Sequence, residues 1–467
     1  MVLLPIGFQK IGESGFCQYH IFYIFISEAF YNDFDSDYFL LKTIINLKIL
    51  LMTRTSTLAQ EFIEKEDKYG AHNYHPLPVV LSKGKGVYVW DVAGKQYFDF
   101  LSAYSSVNQG HCHPRILKVM QEQAATLTLT SRAFHNNLLA DFEKQLHQIF
   151  GYDKALPMNS GVEAVETAMK LSRKWAYEVK GVPANQATII FAKDNFHGRT
   201  LSVISASNDP VSRIGFGPYM NGIDAVPYND IAALEAKFST NPNIAAFVVE
   251  PIQGEAGVVV PNADYLPTVA KLCKKYKVLF VADEIQTGLG RTGQLLATHM
   301  DGGHTKLRPD IIILGKALSG GFMPVSAVLA DDEIMMTIKP GEHGSTYGGN
   351  PLACAVAMES LKVLIEENLS KNAEKMGRLF RNGLELIAQK SSLIQLVRGK
   401  GLLNAIVINS HEDSSLAWNI CLKMRDYGLL AKPTHGNKIR LAPPLIINEQ
   451  QIRESLAIIE KALSEFS

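Results

Sequence analysis

Apolar runs recur through the middle of the chain, and three of them end at an ionisable side chain. Residues 244–250 finish on Glu250, residues 278–283 on Asp283 with Glu284 next, and the run 311–314 leads through a glycine to Lys316. Runs without polar alternation read as strands buried on both faces of a parallel sheet. The three groups are 33 residues apart each time (283 − 250 and 316 − 283), about the length of one βαβ unit. Thr188–Ala192 and 326–329 supply further strands, and 265–275 has the period of an amphipathic helix. Upstream, 84–100 alternates apolar and polar positions around a Val-Ala-Gly turn, a β-hairpin pattern. Downstream come a long helical stretch at 352–366 and strands at 401–408 and 437–441.

These elements predict an α/β body over 113–344, preceded by a segment at 52–112 and followed by a smaller α+β section at 345–467. Ligands of such sheets sit beyond the carboxyl ends of the strands. Lys316 is expected there as a partly desolvated amine acting on a carbonyl, rather than as a surface lysine in a strand–helix turn. Acids collected at the same edge must be desolvated, which a core made for stability alone would avoid.

Other segments converge on that edge. Ser160, Gly161 and Val162 open a strong helix pattern, a place where free N–H groups suit a phosphate, although Ser160 also reads as a plain N-cap. Phe196 and Arg199 follow the strand that ends at Ala192, and Thr346 lies in a glycine-rich loop suited to a second phosphate contact.

Composition changes the picture little. At 467 residues the chain exceeds one ordinary core, and 46 basic against 46 acidic residues leave no field directed at nucleic acid or anionic membranes. Five cysteines without a Cys-x-x-Cys pair give neither a disulfide framework nor a zinc ribbon. No metal is expected: His111-Cys-His113 is too tightly spaced to chelate one ion and reads as a turn. Gly288-Leu-Gly-Arg-Thr-Gly293 spells a dinucleotide fingerprint but lacks its strand–turn–helix setting. No apolar run after residue 52 is long enough to span a bilayer. Residues 1–51 hold eleven Phe and Tyr, three lysines, five acids and no arginine, a poor transit peptide. They read as an atypical extension outside the fold, upstream of a start at Met52, and the cytosol is favoured, with the mitochondrial matrix as the alternative.

Taken together, Lys316, Asp283, Gln286 and the Ser160 helix start resemble the class III, fold-type-I aminotransferases, which use pyridoxal phosphate. The segments at 70–76, 108–114, 250–257, 341–350, 397–405 and 429–435 are similar to the ornithine aminotransferase group, so the likeness spans about 69–466. A few extra residues around Asp301–His304 depart from it. The resemblance implies a large, mainly parallel, seven-stranded-type sheet domain and a small α+β domain built from both chain ends. It implies transfer of the δ-amino group of L-ornithine to 2-oxoglutarate in two half-reactions, giving glutamate and glutamate 5-semialdehyde, which cyclises to pyrroline-5-carboxylate.

The resemblance also assigns roles. Lys316 would join the cofactor's aldehyde and then shuttle the proton; Asp283 would hold the pyridine nitrogen charged. Gln286 would bond the phenolic oxygen, Phe196 cover the ring, and Ser160, Gly161 and Val162 receive the phosphate. Thr346 would reach the cofactor of a second copy in a homodimer. Tyr74, Tyr104 and Arg199 would hold ornithine, while Arg440 clamps the glutamate carboxylate and Glu255 masks that arginine when ornithine is bound. Acetylornithine and 4-aminobutyrate aminotransferases share the Asp283, Gln286 and Lys316 framework and are the rival readings. An NAD-dependent oxidoreductase and a non-catalytic binding protein stand further off.

Overall fold

The computed structural model describes residues 58–299 and 307–466. The N-terminal extension and the departure at 301–304 lie outside the described residues. The chain divides into two units, Met1–Ala71 and His72–Ser467. In the first, 58–69 form a helix closed by a bond from Gly70 N–H to Glu66 O at 2.7 Å.

The second unit starts with β1 (Leu81–Lys85), β2 (Tyr88–Asp91) and β3 (Gln96–Asp99). β2 and β3 form the expected hairpin, with Asp91 Oδ1 accepting from the Ala93 and Lys95 N–H groups in the turn. The large sheet contains β4 (Lys154–Met158), β5 (Thr188–Ala192), β6 (Ile223–Val226), β7 (Ile244–Val249), β8 (Leu279–Asp283), β9 (Ile311–Leu314) and β10 (Ser326–Ala330). Their order is β4-β10-β9-β8-β7-β5-β6. Every residue of β7, β8 and β9 is buried, as strands covered by helices on both faces require. Each such Val, Ile or Phe contributes about 1.5–3 kcal/mol of burial. β10 alone runs against its neighbours β4 and β9. Its first residue therefore lies at the edge where the others end, and Ser326 Oγ donates to Ser160 O at 2.8 Å.

The C-terminal part adds β11 (Ile394–Lys400), β12 (Leu403–Ile408), β13 (Leu429–Leu430), β14 (Lys432–Thr434) and β15 (Lys438–Leu441). β11, β12, β15 and β14 form one sheet, and β13 pairs in parallel with β3, so both chain ends build the smaller layer. The helix Pro351–Glu366 follows the expected 344/345 border, yet it packs on Pro114–Ala124 and Leu139–Phe150 beside the large sheet. One apolar core runs from Phe100 through Leu314 and Val356 to Ile406 and Ile439. Among the described residues no helix is long and apolar enough to cross a membrane.

Candidate active site

The carboxyl ends of β5, β7, β8 and β9 bring Phe196, Glu250, Asp283 and Lys316 to one edge. Lys316 is half-buried, and its backbone has a φ of 44°, in the left-handed region that a lysine rarely occupies. Burial lowers its pKa against the raising pull of Glu255, with Arg440 lowering it further. An amine held below its ordinary range spends more time unprotonated and able to attack a carbonyl.

Asp283 is buried, accepting from Ile285 N–H at 3.1 Å on one oxygen and facing His197 Nδ1 at 2.6 Å with the other. Burial alone would lower the His197 pKa; the bond and charge of Asp283 outweigh it and raise it. The pair therefore favours a charged ring at His197. His197 was given no role from the sequence, although it sits inside the segment that drew attention to Phe196 and Arg199. The signal was a histidine just past one strand and an acid ending another. Glu250 is buried, accepts from Phe196 N–H at 3.1 Å, and is pushed up to about 7 by burial. Glu284, expected at the same edge, is turned away from it. Its oxygens accept from Thr287 Oγ1 at 2.6 Å and from the Ala297 and Thr298 N–H groups at 3.0 and 2.8 Å, which makes it a structural brace.

Ser160 caps the helix Gly161–Trp175 in a reciprocal capping box with Glu163. The plain N-cap role of its side chain is thus real, and the first helical positions, Gly161 and Val162, keep N–H groups without intrahelical partners. Anions are favoured at such an end. Thr346 is exposed and outside the central cavity, and its neighbour Ser345 accepts from Asn159 Nδ2 at 2.8 Å, tying the loop to the same helix start.

That cavity encloses about 960 Å³ and is lined by Tyr74, Tyr104, Phe196, Arg199, Glu255 and Arg440 among others. Phe196 is 36% exposed, so it is not core, and Arg199 lies over its ring with Cζ 5.3 Å from the centroid. Tyr74 is 72% exposed. Arg440 is 2% exposed and paired with Glu255, whose Oε1 also accepts from Gln286 Nε2 at 2.9 Å. Burial would raise the Glu255 carboxyl; Arg440, Lys316 and the Gln286 amide outweigh it and hold it below the usual range. Gln286 thus spends one donor on Glu255, while its Oε1 is buried without a partner among the described residues. Gly254 makes room for it: a Cβ there would fall 1.7 Å from Gln286 Oε1. Among the described residues, Arg440 Nε and His197 Nε2 are also buried and unpartnered, as expected where a polar ligand belongs.

Tyr104 reaches the site through a left-handed turn. Ser102, Ala103, Tyr104 and Ser105 have φ of 48°, 45°, 59° and 70°. Asp99 Oδ1 clamps the turn from the Leu101 and Ser102 N–H groups at 2.9 and 2.8 Å, and Asp99 Oδ2 meets His111 Nε2 at 2.7 Å. The turn lays the Tyr104 ring 4.8 Å from Arg440 Cζ. Left-handed backbone costs an L-residue roughly 1–2 kcal/mol. Ala103 is exposed, so Ala103→Gly is expected to raise unfolding stability by about 1 kcal/mol, readable from the denaturant midpoint, with turnover unchanged.

In the rejected glycine pattern, Arg291 is fully buried. It donates to Leu402 O at 3.0 Å, Pro443 O at 2.6 Å and Asn108 Oδ1 at 2.5 Å, joining three distant segments beside Arg440.

A desolvated amine, a buried carboxylate backed by histidine, and a helix start with free N–H groups fit a phosphorylated pyridine carrying an aldehyde. The aminotransferase class-III family matches residues 69–463. The chain is 60% identical over 409 residues to the mitochondrial ornithine aminotransferase of Rattus norvegicus, covering 87% of this chain and 91% of that protein. It is 61% identical over 399 residues to the Drosophila melanogaster counterpart, covering 85% and 90%. Two solved structures are similar. The ornithine aminotransferase of Toxoplasma gondii has a TM-score of 0.84 at 44% identity, covering 87% of this chain and 95% of that one. The acetylornithine aminotransferase of Elizabethkingia anophelis has 0.79 at 58% identity, covering 87% and 99%. With this agreement of fold, site and relatives, the chain belongs to the class-III aminotransferases, a pyridoxal-phosphate-dependent family.

Proposed function

We propose that this aminotransferase moves the δ-amino group of L-ornithine to 2-oxoglutarate, forming glutamate 5-semialdehyde, which cyclises to pyrroline-5-carboxylate, and glutamate. The observation that carries this reading is the Glu255–Arg440 pair beside Lys316. A ping-pong enzyme must accept a diamine end and then a dicarboxylate in one cavity. An arginine that can be covered and uncovered by a carboxylate meets both demands.

When bound, pyridoxal phosphate supplies an aldehyde for the amine and a ring that withdraws electrons from the neighbouring carbon. Gly161 and Val162 would receive its phosphate at the helix start, and Phe196 would cover its ring. Gln286 would offer its remaining N–H to the phenolic oxygen, and Asp283, oriented by His197, would hold the ring nitrogen charged. Lys316 Nζ takes the proton from the amine-bearing carbon and returns it on the other side. Tyr74 and Arg199 hold the α-amino and α-carboxylate end of ornithine, so that its δ-amine reaches Lys316, and Tyr104 lines the same side. In the second half-reaction Glu255 swings off Arg440, which then grips a carboxylate of the oxo-acid bidentately.

Thr346 is assigned to the cofactor of a second copy in a homodimer, which suits its exposure on a loop outside its own cavity. Three relatives, from rat, fly and worm, carry "mitochondrial" in their names, which favours the matrix over the cytosol as the place of action.

The test is incubation of purified protein with ornithine and 2-oxoglutarate while trapping pyrroline-5-carboxylate; no trapped product would overturn the reading. A second substrate, N-acetylornithine, is favoured by the name of the Elizabethkingia anophelis relative. Measuring both amines side by side decides between them. Glu255→Ala is expected to lower the preference for ornithine's δ-amine over its α-amine by about 10-fold or more, about 1.4 kcal/mol. Product analysis of single turnovers reads it, and an unchanged preference would make the pair a static brace.

A further inference from the structure

The loop at 341–350 carries Thr346, but another of its residues, His343, stands outside the proposed chemistry. Its Nε2 lies 2.8 Å from Thr167 Oγ1, and its Nδ1 lies 3.0 Å from Lys170 Nζ. Thr167 and Lys170 belong to the helix Gly161–Trp175. The partners fix the tautomer. Thr167 Oγ1 gives its only proton to Glu163 O at 2.8 Å, so it must receive the proton on His343 Nε2. An ammonium only donates, so Nδ1 must be bare to accept from Lys170. The imidazole is therefore neutral in this arrangement. Two further contacts complete the dock: Lys170 Nζ also donates to Glu342 O at 3.1 Å, and Asn159 Nδ2 to Ser345 Oγ at 2.8 Å.

We propose that neutral His343 is a positioning residue that docks the Thr346 loop against the helix start, so that protonating it loosens the phosphate cradle and releases cofactor. The inference rests on the function proposed above. It ties the helix that holds one cofactor to the loop offered to a neighbour's.

The charges around the ring leave the imidazolium unsupported. On the helix, Lys170 faces Nδ1, and Lys174 binds Glu342 and Glu178. On the loop side, Glu342 is also bonded to Lys339 N–H at 2.7 Å. The Glu163 carboxylate is engaged in the capping box. Glu166, one turn before Lys170, accepts from Thr200 Oγ1 at 2.8 Å, and among the described residues no carboxylate pairs with the imidazole. Burial, and then Lys170, hold the His343 pKa below the ordinary value. A histidine depressed in the docked state contributes fully above the free value, about 6.5, and less as pH falls through the docked one. Protonation of Nδ1 would expel Lys170 and set two cations 3.0 Å apart.

The experiment is equilibrium binding of pyridoxal phosphate, followed by absorbance and fluorescence from pH 8 to 5.5, for wild type, His343→Gln and His343→Leu. Glutamine keeps one donor and one acceptor and does not titrate in this range. It is expected to bind within about 3-fold of wild type at pH 8 and about 5-fold more tightly at pH 5.5. Leucine is expected to weaken binding about 10-fold at pH 8, with the thermal transition confirming a folded chain. The cofactor's own phosphate titrates alike in every variant, so only differences between variants count. Identical pH dependence in wild type and His343→Gln, or wild-type affinity in a folded His343→Leu, would overturn the proposal. A wild-type protein that takes up no pyridoxal phosphate at pH 8 overturns the proposed function, and this inference with it.

Discussion

Lys316→Ala is expected to abolish turnover, with kcat falling by about 10⁴-fold or more, because the proposed function makes one nitrogen both the nucleophile and the proton carrier. Lys316→Arg should do no better, since a guanidinium keeps the charge but holds its protons. Folding should survive both. Among the described residues Lys316 Nζ has no hydrogen-bond partner, and alanine inherits the same left-handed backbone rather than adding strain. Removing a partly desolvated ammonium is expected to leave stability within about 1 kcal/mol or raise it slightly. Stopped-flow turnover, the visible band of bound cofactor and a denaturation curve read the three consequences. A variant that keeps near-normal turnover would remove the basis of the mechanism.

Asp283→Asn should lower kcat by about 10²–10³-fold, the scale on which a single aligned electrostatic group acts. Asparagine keeps the shape and can still accept from Ile285 N–H, but it loses the charge that meets His197. The raised pKa of His197 depends on that charge, so it should fall in the variant. Titrating the His197 ring by NMR alongside the kinetics separates this from general disruption. Unaltered histidine titration together with unaltered kcat would detach the pair from catalysis.

Much of this molecule was legible in the sequence, for identifiable reasons. Continuous apolar runs such as Ile311–Leu314 cannot be amphipathic, so their place in a doubly covered sheet followed directly, and the ionisable residue after each run marked the working edge. The direction of β10 was not legible. Ser326–Ala330 is as apolar as its parallel neighbours, and nothing in five residues tells which way a buried strand runs. Glu284 follows Asp283 in sequence and looks equivalent; adjacent side chains leaving a strand point opposite ways, and only one can face the ligand. The left-handed turn at Ser102–Ser105 contains no glycine or asparagine to announce it, and it is held by Asp99 from outside. Arg291 was hidden inside a glycine pattern that suggested nucleotide binding. Its partners, at Asn108, Leu402 and Pro443, are separated from it by more than a hundred residues.

That buried guanidinium bears on how the enzyme alternates between its two substrates. With no carboxylate among its hydrogen-bond partners in the described residues and its bonds spread over three segments of chain, it acts as a rivet: slippage of any one segment would strand a cation in a dry interior. Arg440 lies three residues from one riveted carbonyl and cannot drift far from Lys316. A hinged jaw is thus a poor way to admit first a diamine and then a diacid. On the function proposed above, the changeover then asks for the movement of one side chain, Glu255, rather than of a domain.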